Sequence, residues 1–248
     1  MLTTDLIAAY WSTPEIITNV VILLHLAGAL FLGLLVGYER TYHGRAAGMR
    51  TYGLVCMAST ALTIVGGYPD FWFGGSGAGL VGAADPTRII QGIVTGIGFL
   101  GAGVIMREGF NISGLTTAAS IWTSSVIGIL MGVGFYLSAM GLAFFSAMIM
   151  IYMSKVEALL PSRHAVAIMM RFKPGYLPRE DVLRRIALER GYAIAGGSLT
   201  IGSNNGMQEW RFVALALSKK SGAPLYTLAA ELEAFDGVDS FQVSHARN

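Results

Sequence analysis

Between Ile16 and Ser154 the chain alternates long apolar stretches with short polar or glycine-rich breaks. Each stretch approaches the roughly 20 residues that a helix needs to cross the hydrocarbon of a bilayer. Five are read at about 16–37, 51–67, 87–106, 115–134 and 136–154. From about residue 162 the apolar runs shorten and alternate. AVAIMMRF reads as a strand, and REDVLRRIALERGY as an amphipathic helix with Val182, Ile186 and Leu183 or Leu188 turned inward. AIAGGSLTIG and WRFVALALS read as hairpin strands around the turn-rich SNNG, PLYTLAAELEAF as a second helix and VDSFQVSH as a last strand. The order β-α-β-β-α-β is ferredoxin-like. The expected fold is an α-helical membrane bundle of about five transmembrane helices over residues 1–160, followed by a ferredoxin-like α+β cytoplasmic domain over residues 161–248.

Composition strengthens the membrane reading. Hydrophobic residues make up 54% of the chain and charged residues 13%, against about 25% charged in an ordinary soluble domain. The charges are also segregated: residues 1–154 hold 11 of the 32 Asp, Glu, Lys and Arg. Arg40, Arg45, Arg50, Arg107, Lys155 and Arg163 fall on one side of an alternating five-span path, with Arg88 the one candidate basic residue opposite. By the positive-inside rule, that side is the cytoplasm and the N-terminus lies outside. Asp5 and Glu15 stand in the first 15 residues without any Lys or Arg, so the first apolar segment is expected to remain as an anchor rather than to be cleaved as a signal peptide.

A net charge of +2 argues against nucleic-acid binding, which calls for a basic stripe or cluster. The lone Cys56 forms no internal disulfide and no paired metal-ligand spacing, so redox and zinc chemistry are not expected. No cofactor is expected, and no metal-ligand set is assigned. The α+β tail carries an open sheet edge, which favours pairing with a second copy; a homo-oligomer, with a dimer favoured, is the expectation.

GIGFLGAG at 96–103 matches the dinucleotide spacing G-x-G-x-x-G, a fingerprint that has meaning only between a strand and a soluble helix. Here it lies inside an apolar span, where phosphates would have to enter the bilayer. Gly92, Gly96, Gly98, Gly101 and Gly103 are read instead as helix-packing residues, as are Gly33 with Gly37 and Gly128 with Gly132. The alternative is a helix broken at these glycines, of the kind that builds transporter sites.

Polar residues in the spans supply the remaining candidates. Asp85-Pro86-Thr87-Arg88 joins an N-cap residue to a proline in the first turn, and Asp85 with Arg88 is also a candidate ion or partner contact. Thr116, Ser120 and Thr123, with Thr117 and Ser124 one position round, form a hydroxyl stripe expected to face other helices. His25 is read as hydrogen-bonded to a neighbouring helix, with proton transfer as the alternative. Glu39, Arg40, Arg45 and Arg50 make the densest charge group of the membrane half, one that fixes topology and that is also a candidate to dock against Arg107 and Glu108.

GLLVGYER at 33–40, GRAAGMRTYGLVC at 44–56, DPTRIIQGIVTGIGFLGAGVI at 85–105 and GLTTAASIW at 114–122 resemble, in order and spacing, the signature blocks of the MgtC/SapB family of bacterial inner-membrane proteins. The resemblance covers most of residues 33–134. Tyr38, Ala46 and Tyr52 depart from the family pattern, where an aliphatic residue, proline and histidine are common. The resemblance implies that the tail is ACT-like and that Glu39, Arg40, Arg45, Arg50, Cys56, Asp85, Arg88 and Thr117 occupy motif positions. It further implies a link to growth at low magnesium, to virulence through survival in macrophages, and to restraint of the membrane ATP synthase.

The expected function is therefore a non-enzymatic inner-membrane regulator. The alternative is a transporter of magnesium or another small solute. Magnesium prefers about six oxygen ligands, and Asp70 and Asp85 are the only acids from the second span through the third. Enzymatic activity is not expected, since the chain holds no H-E-x-x-H, no G-x-S-x-G and no Walker loop.

Overall fold

The computed structural model describes residues 8–75, 85–108, 111–160, 163–204, 206–218 and 221–246. Half of the glycine-rich loop read between the second and third spans lies outside these residues. The described chain divides into a helical unit, up to Met106 and again over Gly114–Ser154, and an α+β unit that comprises Arg107–Ser113 and the chain from Lys155 onward.

Five long helices build the first unit: α1 (Thr13–Tyr42), α2 (Met49–Gly67), α3 (Pro86–Val104), α4 (Leu115–Val133) and α5 (Tyr136–Leu159). Their ends follow local chemistry. Pro14 stands in the first turn of α1, where its missing N–H leaves no bond unmade. Gly134 closes α4 in the left-handed region at φ 94°, which only a residue without Cβ adopts readily. Four of the five helices are long and apolar enough to cross a membrane. The fifth, α2, carries Arg50, Ser59, Thr60 and Thr63, and buries seven residues, Tyr52, Gly53 and Cys56 among them.

Glycines on its neighbours seat α2. A Cβ at Gly33 would stand 2.7 Å from the Tyr52 carbonyl oxygen, and one at Gly37 would stand 2.7 Å from Met49 Cα. The same test places Gly128 against the Cys56 carbonyl and Gly132 2.7 Å from Thr63 Cβ. These pairings make α1 and α2 antiparallel, and α2 and α4 parallel.

The glycines of α3 behave differently. Added Cβ atoms at Gly92, Gly96, Gly98 and Gly103 would meet nothing within 4 Å, and Gly101 reaches only Ala118, at 3.7 Å. The inner face of α3 is instead aliphatic, with Ile93 and Ile97 buried. The helix runs unbroken from Pro86 to Val104, so the alternative of a helix broken at these glycines fails; an apolar surround favours the intact hydrogen-bond ladder. It also stops short of residue 106, because Met106 begins a short hairpin, β1 (Met106–Glu108) with β2 (Asn111–Ser113).

The tail folds as β3 (Ala165–Phe172), α6 (Glu180–Glu189), β4 (Tyr192–Ile194), β5 (Thr200–Asn204), β6 (Met207–Ala216), α7 (Leu225–Glu233) and β7 (Val238–His245). The antiparallel sheet has the order β4-β6-β3-β7, with β5 also on β6. This is the ferredoxin-like arrangement, except that the expected second strand is two pieces. Ala195 N–H donates to the Val213 carbonyl at 2.8 Å; Gly197 then takes φ 76°, and the Ser198 hydroxyl accepts the Val213 N–H at 3.1 Å. A side chain thus stands in for one rung of the ladder. On α6 the inward positions are Val182, Leu183 and Ala187, whereas Ile186, expected inward, is 37% exposed and Leu188 53%.

Candidate functional site

The interior of the helical unit is a ladder of hydroxyls between α2 and α4. Tyr52 Oη and Ser120 Oγ are hydrogen-bonded, Ser124 Oγ donates to the Tyr52 carbonyl at 3.0 Å, Ser59 and Ser125 hydroxyls meet at 2.8 Å, and Thr60 Oγ1 donates to the Gly128 carbonyl at 2.8 Å. All of these side chains are buried. The expected hydroxyl stripe of α4 is therefore split. Thr117, Ser120 and Ser124 are buried, while Thr116 is exposed and Thr123 bonds back to the Ala119 carbonyl of its own helix. Cys56 lies at zero exposure in the same seam, between Gly33 and Gly128.

Sequence reasoning missed the α2 side of this ladder. Ser59, Thr60 and Thr63 recur at helical spacing, a signal that was present, but their partners stand 66–69 residues on. Tyr136 was missed for the same reason: its hydroxyl lies 2.7 Å from His25 Nε2, while His25 Nδ1 lies 2.7 Å from the Val21 carbonyl. A neutral imidazole protonated at Nδ1 satisfies both contacts, with Tyr136 as donor. His25 is thus a tether between α1 and α5.

The charge group at the end of α1 is only partly drawn together. Arg40 is 5% exposed, and its Nε lies 3.7 Å from Glu39 Oε2, beyond hydrogen-bond reach. Glu39 Oε1 lies 3.0 Å from His43 Nδ1. Among the described residues, Arg40 Nε and Nη2 and Glu39 Oε2 are buried without any hydrogen bond. Arg45 and Arg50 are exposed on the following turn and in the first turn of α2. The side chains of Arg107 and Glu108, the expected docking partners, lie outside the described ones.

Asp85 and Arg88 lie at the opposite end. Gly66, in the last turn of α2, packs on Ile89, and the 19 residues of α3 span about 28 Å. Asp85 caps α3, accepting from Thr87 N–H at 3.0 Å and from the Thr87 hydroxyl. Those bonds, the side-chain one first, hold its carboxyl below the usual range. Arg88 is exposed. Among the described residues, no three His, Cys, Asp or Glu side chains converge as a metal site would require.

In the tail, a cavity of about 190 Å³ separates the sheet from α6 and α7. Met170, Phe212, Leu183 and Leu228 are among its apolar walls, and Arg179, Arg190 and Glu231 also line it. Arg190 Nε meets Glu231 Oε2 at 2.8 Å. Tyr192, which donates to the Ala223 carbonyl at 2.9 Å, has its phenol pushed up by burial.

The MgtC family model matches residues 26–159. A protein named Protein MgtC from Brucella abortus (strain 2308) is 43% identical over 109 residues, 44% of this chain and 41% of its own length. One of the same name from Salmonella typhimurium (strain LT2) is 43% identical over 120 residues, 48% of this chain and 46% of its own. The chain thus spans less than half the length of these relatives. No solved structure matches it with significance.

Proposed function

The chain belongs to the MgtC family, and from that premise we propose that it is a multi-pass bacterial inner-membrane protein that regulates other membrane machinery rather than catalysing a reaction. Its N-terminus faces the periplasm and its α+β domain the cytoplasm. The process it serves is adaptation to low magnesium and, in a pathogen, survival inside macrophages; restraint of the membrane ATP synthase is the mode the family suggests.

One observation carries the choice of regulator over transporter. The hydroxyls that a polar path would need are bonded across the α2–α4 seam, and Asp85, the acid that path would have used, caps α3. The outer face of α3 supports partner contact. Only 11% of the helix is buried, Phe99 is 81% exposed, and Gly92, Gly96 and Gly103 offer a surface that another helix approaches closely. The partner is a membrane protein or a second copy of the chain. In the cytoplasmic domain, which is ACT-like in this reading, the cavity beneath the helices is the place for a ligand, and the sheet edge the place for dimerisation.

Magnesium flux into vesicles containing only the purified chain tests this reading. The expected result is no flux above protein-free vesicles from a folded sample, while Gly96→Val weakens cross-linking of α3 to its partner in cells. Flux that disappears in Asp85→Ala would overturn the regulatory reading and establish the transporter.

A further inference from the structure

Arg40 and Glu39 leave a complementary set of polar atoms unused. Arg40 is 5% exposed, yet among the described residues its Nε and Nη2 donate to nothing, and beside them Glu39 Oε2 accepts nothing. Their separation of 3.7 Å neutralises charge without making a hydrogen bond. A buried guanidinium is stable only when its donors are met.

The surroundings are rich in further donors. The N-termini of α2 and α4 lie at this same end of the helical unit, and neither Gly48 nor Gly114 supplies a side-chain cap. Thr41 Oγ1 takes the Met49 N–H, which leaves those of Arg50 and Thr51 at the positive end of the helix. Arg45 and Arg50 are exposed nearby. Two guanidinium donors with helix N–H groups match phosphate oxygens. The idle Glu39 oxygen matches an ammonium. A bare phosphate would leave that carboxylate facing an anion, whereas a group carrying both charges satisfies both residues.

We propose that Arg40 and Glu39 form a binding site for a phosphate–ammonium group of the phosphoethanolamine type, its phosphate held by Arg40 Nε and Nη2 and its ammonium by Glu39 Oε2. The turn over residues 43–48 lies against this end of α1, with Arg45 N–H donating to the Arg40 carbonyl at 2.9 Å. That turn is seated by buried Ala47 and carries Gly44 at φ 62° with open space around it. The group has two sources, a phosphatidylethanolamine headgroup at the membrane surface or a soluble phosphoethanolamine. The inference does not rest on the regulatory reading.

Native mass spectrometry of the full chain, stripped of lipid in detergent, tests it. Phosphatidylethanolamine and phosphatidylglycerol of identical acyl chains are titrated separately, and soluble phosphoethanolamine in a third arm. The wild type is expected to bind the ethanolamine lipid about tenfold more tightly than the glycerol lipid. Arg40→Gln removes that binding by about tenfold, Glu39→Gln abolishes the preference between headgroups, and Arg184→Gln, exposed on α6 of the tail, changes neither. Binding of soluble phosphoethanolamine with the same dependence on both residues assigns the soluble source; its absence assigns the lipid. Equal binding of the two lipids by the wild type, or ethanolamine-lipid binding unchanged in Arg40→Gln, overturns the site. Should Arg40→Gln fail to fold by circular dichroism, Glu39→Gln decides: an intact headgroup preference in that variant overturns the proposal.

Discussion

A single methyl group separates two kinds of glycine in this chain. At Gly33 any Cβ meets the backbone of α2, whereas at Gly96 it meets open space. Gly33→Val should therefore lower stability in detergent by about 1–3 kcal/mol, the range for overpacking, while Gly96→Val stays within about 0.5 kcal/mol. Thermal unfolding of the two purified variants is the check. In the tail, Glu209 accepts from Arg171 Nη2 at 2.9 Å and from Arg211 Nε at 2.7 Å. These guanidinium bonds, Arg171's first, hold its carboxyl below the usual range. A lowered folded pKa gives stability that is present above the unfolded value and is lost as pH falls through the folded one. Arg171 and Glu209 are cross-strand partners, so the loss on acidification is about 0.2–1 kcal/mol. Urea unfolding followed across that range should show it in the wild type, and Glu209→Gln should remove it.

At the scale of elements, the α2–α4 seam is a set of separable pairs. A double-mutant cycle on Ser59→Ala and Ser125→Ala should return a coupling of about 0.6 kcal/mol, with about 1.7 as the ceiling known for such bonds in membrane proteins. A coupling near zero would mean that the two hydroxyls find other partners. The helices themselves were legible because a run of apolar residues near membrane thickness has few alternatives. The seam was legible only from the α4 side: hydroxyl periodicity tells which face turns inward, but not which helix waits there. Nor did periodicity reveal that Arg40 is buried, since a charged residue at a helix end reads as a solvated terminus. The second strand of the tail is read whole from AIAGGSLTIG, yet the chain turns at Gly197. Ser198, by taking a backbone N–H, breaks it in a way that a pattern of polarity does not encode.

For the whole molecule, the proposed orientation has a direct readout. Cys56 is the single cysteine and is fully buried, so Cys56→Ser clears the background without opening a large cavity. Leu177, 78% exposed in the tail, is then changed to cysteine. An impermeant thiol reagent should label that cysteine in permeabilised cells and leave it unlabelled in intact ones. Labelling of intact cells would reverse the topology.

The polar character of α2 also has a temporal side. Among the described residues, four helices are long and apolar enough to cross a membrane, and α2 is not among them. Its hydroxyl partners lie 66 or more residues later, and at about 5–20 residues per second they emerge roughly 3–13 s after it. Until α3 emerges and brings Ile89 against Gly66, α2 has α1 alone for company, seated on Gly33 and Gly37. The glycine pair is thus a holding device during synthesis as well as a packing seam in the finished protein. Until α4 arrives, the hydroxyl face of α2 lacks the partners it bonds in the finished protein.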